Sequence, residues 1–175
     1  MTEKKLFAVI RIRGRRKLNK KIDRITRLLN IYKPNYCSVF FMNGPYLGML
    51  KKAKDYITWG EISKDLFTKL LIKKAEIGKK KLSKLKPIEE IKKIAEQIYE
   101  GKKTLKDFNI KRTFRLRPPS KGFKNKKKLY PYGDLGPRPS IDPLLKRMIW
   151  ILDMNLEKYF KLKGVYECLR EKEKE

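Results

Sequence analysis

The chain has 175 residues, with 47 Lys+Arg against 19 Asp+Glu and a formal net charge of +28. Apolar residues make up 41% of it, enough to build the core of one ordinary domain with an added lobe. No run of 18 apolar residues is present to span a membrane, the absence of histidine removes the usual general acid/base and the commonest metal ligand, and so large an excess of positive charge points to a polyanionic partner.

Met1 to Lys5 leads into a strand-like segment too short and too charged for the apolar region of a signal peptide, so the chain is expected to stay in the cytosol or in a compartment reached without a cleaved peptide. From Leu6 the sequence is continuously apolar to Ile10 and then alternates with Arg through Arg13. That pattern predicts a strand, buried at first, with basic side chains emerging on one face. Gly14 breaks it. Asn19 predicts the N-cap of a helix over 20–29, with Ile22, Ile25, Leu28 and Leu29 on one face and Lys21, Arg24 and Arg27 opposite. Tyr36 to Met42 reads as a second, central strand. Pro45 opens a short helix through Lys52, and Tyr56 to Trp59 is a third strand, ended by Gly60.

From Ser63 the spacing predicts a helix with Leu66, Phe67, Leu70 and Leu71 on its apolar stripe. Lys79, Lys80 and Lys81 form a basic break. Pro87 opens another helix through Ile88, Ile91, Ile94, Ala95 and Ile98, stopped by Gly101. A further turn is expected over Thr104 to Phe108, and a short strand over Phe114 to Arg117, ended by Pro118 and Pro119. Residues 118–140 are rich in Gly, Pro and Lys and read as an extended loop without a core of its own, mobile until RNA orders it. Asp142 and Pro143 open a last helix to about residue 162, with Leu144, Leu145, Met148, Leu152, Leu156, Tyr159 and Phe160 in its stripe. Residues 153–175 hold six acids and six bases and are expected to pack on protein, not on RNA. From spacing alone this is a small α/β layer with an inserted or appended helical lobe, and its strand–helix–strand connections favour parallel pairing.

Cys37 and Cys168 are the only cysteines and are expected to be unpaired thiols. Two distant cysteines without histidine build no zinc finger, and no cofactor is implied. The acids Asp55, Glu61, Asp65 and Asp134 are scattered, whereas a metal-dependent nuclease needs clustered carboxylates. The chain is therefore expected not to be an enzyme, to have no small-molecule substrate and to avoid membranes. A free-standing RNA-binding module or RNA chaperone is the alternative that charge alone leaves open.

Several segments, in order, resemble one family. Phe7 to Gly14 with the basic amphipathic helix after it, then Pro45 ahead of Gly48-Met49-Leu50-Lys51-Lys52 through Trp59-Gly60-Glu61-Ile62, look like ribosomal large-subunit protein 30 in its archaeal and eukaryotic form. Phe114 to Gly122 resembles that family's basic turn. Gly133-Asp134-Leu135-Gly136 followed by Ile141 to Met148 resembles its closing segment. The chain departs from the pattern at Arg117, where a small polar residue or His is expected, and in its lysine-rich loop at 121–132. The tail from residue 150 lies outside the resemblance.

The resemblance implies an α+β fold: a compact βαβαβ core related to ferredoxin-like folds. Its three-stranded antiparallel sheet would have order 3-1-2, with both helices on one face. The insertion and closing helix would sit beside this core. The implied divisions are 1–62 as RNA-binding core, 63–110 as helical insertion, 111–140 as basic loop and 141–175 as closing helix and tail. The implied partners are large-subunit ribosomal RNA, with the 5S RNA nearby, and neighbouring ribosomal proteins, on the cytoplasmic large subunit.

RNA is held through phosphates, 2′-hydroxyls, shape and exposed bases, and Arg adds planar bidentate recognition of phosphate. Arg11, Arg13, Arg15, Arg16, Lys17 and Lys20 form a first candidate surface, in a region whose single acid is Asp23. The alternative for Arg11 and Arg13 is that they solvate an exposed sheet face. Between Asp107 and Asp134 lie nine Lys/Arg and no acid, and Arg112, Arg115, Arg117, Lys121, Lys124, Lys126, Lys127 and Lys128 form the second surface. Lys51, Lys52 and Lys54 read either as RNA contacts or as a solvated helix edge. Tyr130 and Tyr132 read either as stacking platforms or as local packing. Trp59, Trp150, Phe40 and Phe41 read as core or protein contacts.

Overall fold

The structure, a computed structural model, describes residues 5–15 and 18–149. β1 (Leu6–Arg11), α1 (Lys20–Leu28), β2 (Tyr36–Phe41), α2 (Gly44–Lys52) and β3 (Ile57–Glu61) follow in the expected order. Then come α3 (Lys64–Lys74), a hairpin of β4 (Glu76–Ile77) and β5 (Lys80–Lys81), α4 (Leu82–Leu85), α5 (Ile88–Tyr99), β6 (Thr113–Arg115), β7 (Gly136–Ser140) and α6 (Asp142–Ile149). The remainder of the last predicted helix, with the whole tail and Trp150, lies outside the described residues.

The sheet order is β6-β2-β1-β3-β7. β1 is antiparallel to both neighbours, pairing Val9 with Ser38 on one side and with Trp59 on the other. The 3-1-2 antiparallel core implied by the resemblance is therefore present, and the parallel pairing favoured by spacing is corrected. β2 and β3 are parallel to each other, but β1 lies between them, so the β2–α2–β3 crossover passes over a strand instead of joining neighbours.

β1 is apolar on both faces because both faces are covered. Leu6, Ala8 and Ile10 pack into a core with Leu66, Phe67, Leu70 and Leu71 of α3, Ile91, Ala95 and Ile98 of α5, and Leu144, Leu145 and Met148 of α6. Val9, with Ile57 and Trp59, packs on the opposite face against Leu29 and Leu50, with Ile22, Ile25 and Met49 around them. α1 and α2 thus share one face, as implied. The added helices α3, α5 and α6 pack on the other face.

Asn19 caps α1 as expected, its side chain accepting from the Lys21 amide at 3.0 Å. Leu28 departs from expectation, being 62% exposed. Ile22, Ile25, Thr26 and Leu29 centre the buried stripe, and at 100° per residue Leu28 falls beyond its edge. The lysine run at 79–81 is not a break but the end of a turn and the return strand of a hairpin, Lys80–Lys81. Gly78 turns it at φ +59°, which a residue with a Cβ rarely adopts.

The largest correction concerns residues 118–140, which are a folded segment with buried anchors. Asp134 is buried; its carboxylate accepts from the Lys124 amide and from Arg138 at 2.7 Å. Arg138 Nε reaches Thr58 Oγ1 at 3.1 Å, and that hydroxyl donates to the Gly136 carbonyl at 3.0 Å. Gly136–Ser140 then runs parallel to β3 as the outermost strand. Pro137 and Pro139 are tolerated there because an edge strand does not need every amide.

This closure requires Gly60. A Cβ there would lie 2.8 Å from the Arg138 carbonyl oxygen and 3.0 Å from the Ile141 nitrogen, both backbone atoms. Gly60→Ala is expected to destabilise the protein by about 1–3 kcal/mol through overpacking. A melting temperature equal to wild type would show that β7 does not approach β3 this closely.

Candidate nucleic-acid interface

The N-terminal cations do not form one uniform surface. Arg11 is 0% exposed. It lies on the face of β1 that α1 covers, and its guanidinium serves five acceptors. Nε donates to the Arg13 carbonyl at 2.9 Å, and Nη1 to Thr26 Oγ1 at 3.1 Å and to the Ile31 and Tyr32 carbonyls at 3.4 and 3.1 Å. Nη2 donates to the Gly14 carbonyl at 3.2 Å. Burial lowers its pKa and Arg15 adds to that, against the opposing effect of Asp23. Arginine nevertheless stays protonated. The expectation that Arg11 contacts RNA is therefore corrected. It pins the loop after β1 to the turn after α1.

Arg13 is half-buried; it donates to the Asp55 carbonyl at 3.3 Å and lies 5.0 Å from the Tyr56 ring centroid. Arg15 and Lys20 are exposed, while Arg16 and Lys17 fall outside the described residues. Around the start of α1, Arg15, Leu18, Lys20, Asp23, Arg24 and Arg27 line an open cavity of about 450 Å³. Asp23 meets Arg15 at 3.4 Å and Arg27 at 2.8 Å. Desolvation alone would raise the Asp23 carboxyl, but the two guanidiniums together hold it below its ordinary value. One carboxylate among four cations leaves the hollow positive. Arg24 and Arg27 belong to this site, although the sequence reading placed them only on the polar side of a helix.

The second surface begins at β6 and continues through the folded loop. Arg112, Arg115, Arg117, Lys121, Lys124, Lys126, Lys127 and Lys128 are all exposed. Asn125 organises the turn that carries the lysines: its Oδ1 accepts from the Lys127 and Lys128 amides at 2.8 and 3.3 Å. Lys126 sits 5.1 Å from the Phe123 ring. Gly133 lets this turn close, because a Cβ there would run into the Lys128 carbonyl. One face of Tyr130 is taken by Arg138 at 5.2 Å, whereas Tyr132 is 76% exposed. Lys51 and Lys52 end α2, and with Lys54 they are exposed.

Among the described residues no group of three His, Cys, Asp or Glu side chains is placed to hold a metal ion, and no helix is long and apolar enough to cross a membrane. Cys37 is buried, and burial pushes its thiol pKa up, which keeps it protonated and unreactive. Asp55, Glu61 and Asp65 carry no shared site, and Asp134 is committed to the Arg138 clamp.

The comparisons with known proteins agree with this geometry. A family model described as Ribosomal protein L30p/L7e matches residues 7–57, from β1 to the first residue of β3. The large ribosomal subunit protein uL30 of Nanoarchaeum equitans is 42% identical over 126 residues, 69% of this chain and 81% of its own length. Its namesake in Methanosphaera stadtmanae is 39% identical over 152 residues, 82% of this chain and 100% of its own. That of Methanothrix thermoacetophila is 35% identical over 150 residues, 82% of this chain and 99% of its own. The likeness thus extends well past the matched core, through the helical insertion and the clamped loop, and on this ground the chain belongs to the ribosomal protein L30p/L7e family.

Proposed function

We propose that this chain is a structural, non-catalytic component of the large ribosomal subunit that binds ribosomal RNA through two basic surfaces. The family assignment supports the ribosomal role and the lack of catalysis. The observation that carries the RNA contact is the set of exposed cations with no acid partner among the described residues. On the two candidate surfaces and at the end of α2 it includes Lys20, Lys51, Lys52, Lys54, Arg112, Arg115, Lys121, Lys124, Lys126, Lys127 and Lys128, and others such as Lys79, Lys84 and Lys92 lie on the inserted segment. Phosphate oxygens are the partners that such a set fits. Arg15, Arg16, Lys17 and Lys20 would serve the first surface, with Arg13 stiffening its base. Arg112, Arg115, Arg117 and Lys121 to Lys128 would serve the second, with Tyr132 better placed than Tyr130 to stack on a base.

In this reading residues 1–62 and 111–140 carry the RNA contacts. Residues 63–110 and 141–149 complete the core, and the insertion and the tail would face neighbouring ribosomal proteins. The 5S RNA is the finer proposal for one of the RNAs within reach, and the cytoplasmic large subunit is the proposed place of action.

Replacing Lys124, Lys126, Lys127 and Lys128 together by Ala tests the second surface. Binding to a large-subunit RNA fragment should weaken uniformly across sequences, and the salt slope should drop by about 1 per lysine that contacts phosphate. Melting should not change, because the anchors of the loop are Asn125, Asp134 and Arg138. An unchanged salt slope would remove this loop from the RNA interface.

A further inference from the structure

At the open edge of the sheet, beside β6, lies a second basic hollow. Its volume is about 370 Å³, and Asn30, Tyr32, Lys106, Lys111, Arg112 and Arg115 line it. That is within the range of roughly 300–1,000 Å³ typical of sites that take a small organic group. It brings together the turn after α1, the turn after α5 and the β6 strand, which are far apart in sequence.

The hollow has a braced aromatic wall. Tyr32 is 38% exposed, and its T-shaped contact with Tyr36, 5.2 Å between centroids at 71°, fixes the ring without stacking on it. The backbone beneath it is held by Arg11, which donates to the Ile31 and Tyr32 carbonyls. Thr113 Oγ1 donates to the Asn30 carbonyl at 2.9 Å, so the turn and β6 brace each other. Lys111 reaches Glu76 at 3.6 Å, but Lys106, Arg112 and Arg115 have no acid partner among the described residues. An aromatic plate, two unpaired guanidiniums and an asparagine amide are the groups that hold one nucleotide outside a helix. The ring stacks on the base, arginine grips the phosphate, and the amide offers a donor and an acceptor to the base edge. An acidic peptide would use the arginines and leave the plate idle.

We propose that this hollow binds a single unpaired RNA nucleotide, its base stacked on Tyr32 and its phosphate held by Arg112 and Arg115. The proposal rests on the RNA-binding reading above and assigns to Tyr32 a role that no other observation gives it.

The test uses the full chain and two RNA hairpins, identical except that one carries a single-nucleotide bulge. The wild type should prefer the bulged hairpin. Tyr32→Ala should weaken binding to the bulged RNA by roughly tenfold, the scale of losing one stacked base, and leave binding to the fully paired stem unchanged. Tyr32→Phe should retain the preference and Tyr32→Leu should lose it, which separates stacking from simple filling of the hollow. Arg112→Ala and Arg115→Ala should each reduce the salt slope on the bulged RNA by about 1. A 2-aminopurine at the bulge should be quenched by the wild type and Tyr32→Phe but not by Tyr32→Leu, a readout that holds even if Tyr32→Ala melts early. Equal binding of both hairpins by the wild type, or full retention by Tyr32→Leu, overturns the site while leaving the RNA-binding reading intact. Failure of the wild type to bind either hairpin overturns both.

Discussion

Between 50 and 200 mM salt, the affinity of the isolated chain for a large-subunit RNA fragment is expected to fall by roughly 10³–10⁵-fold on the scale of duplex DNA, and somewhat less where the RNA is single-stranded. That range corresponds to about 6–10 neutralised phosphates. The exposed, acid-free cations Lys20, Lys51, Lys52, Lys54, Arg112, Arg115, Lys121, Lys124, Lys127 and Lys128 supply that number without invoking any of the committed ones. Arg11 is excluded because its donors are occupied inside the protein. Arg138 is excluded because it is bound to Asp134 and Thr58. The check is an equilibrium titration at several salt concentrations. A flat profile would mean that the cations are solvated surface only, and that any RNA affinity arises from something other than charge.

The second large effect is on stability. Arg11→Ala removes the donor for Thr26 and for the carbonyls of Arg13, Gly14, Ile31 and Tyr32. It also leaves a cavity beneath α1. Buried acceptors left unsatisfied, together with lost charge-assisted bonds, place the cost at about 3–5 kcal/mol, among the largest single-site effects. For a chain of this size that corresponds to a fall in melting temperature of roughly 10 °C. Arg11→Lys should recover part of this at most, since an ammonium has three donors and no planar fork to span the set. Arg15→Ala, at an exposed site with one long contact to Asp23, should stay within about 0.5 kcal/mol of wild type. Equal melting of wild type and Arg11→Ala would return Arg11 to the solvent-facing surface.

Arg11 also shows where sequence reading stops. The apolar run from Leu6 predicts the strand, which ends at Arg11 and not at Arg13, and the charge of Arg11 predicts exposure. Only the fold shows that α1 and the turn at residues 30–35 close over that face and present a ring of carbonyls to the guanidinium. No local signal near Arg11 announces this. Elements whose signals are local were legible. Asn19 as a cap, Pro45 and Pro87 as helix openers, and the stripes of α3 and α5 all stand as expected. β7 is not legible, because Gly-Pro-Arg-Pro-Ser reads as part of an extended loop and becomes a strand only through β3 and the Asp134–Arg138 clamp. For the same reason the lysine loop looked like a coreless segment: its anchors are a buried carboxylate and a glycine, not apolar side chains. Strand direction is not legible because strands adjacent in sequence are not adjacent in the sheet: β1 lies between β2 and β3. Tyr32 carries no local signal, because the residues that make it a wall, at 106 and 112–115, come from elements far along the chain.

Sedimentation of ribosomal particles tests the ribosomal role most directly. The tagged full-length chain, expressed in an archaeal host, is followed through a gradient that separates the subunits, before and after a high-salt wash. A naked RNA fragment releases the chain as salt rises. In an assembled subunit, however, both basic surfaces and the protein neighbours are engaged together, and the high effective concentration retains it. The expected result is near-stoichiometric recovery with the large subunit, absence from the small subunit, and persistence through the wash. Recovery at the top of the gradient after the wash, with large subunits intact and lacking the chain, would contradict the ribosomal role and leave a free-standing RNA-binding module in its place.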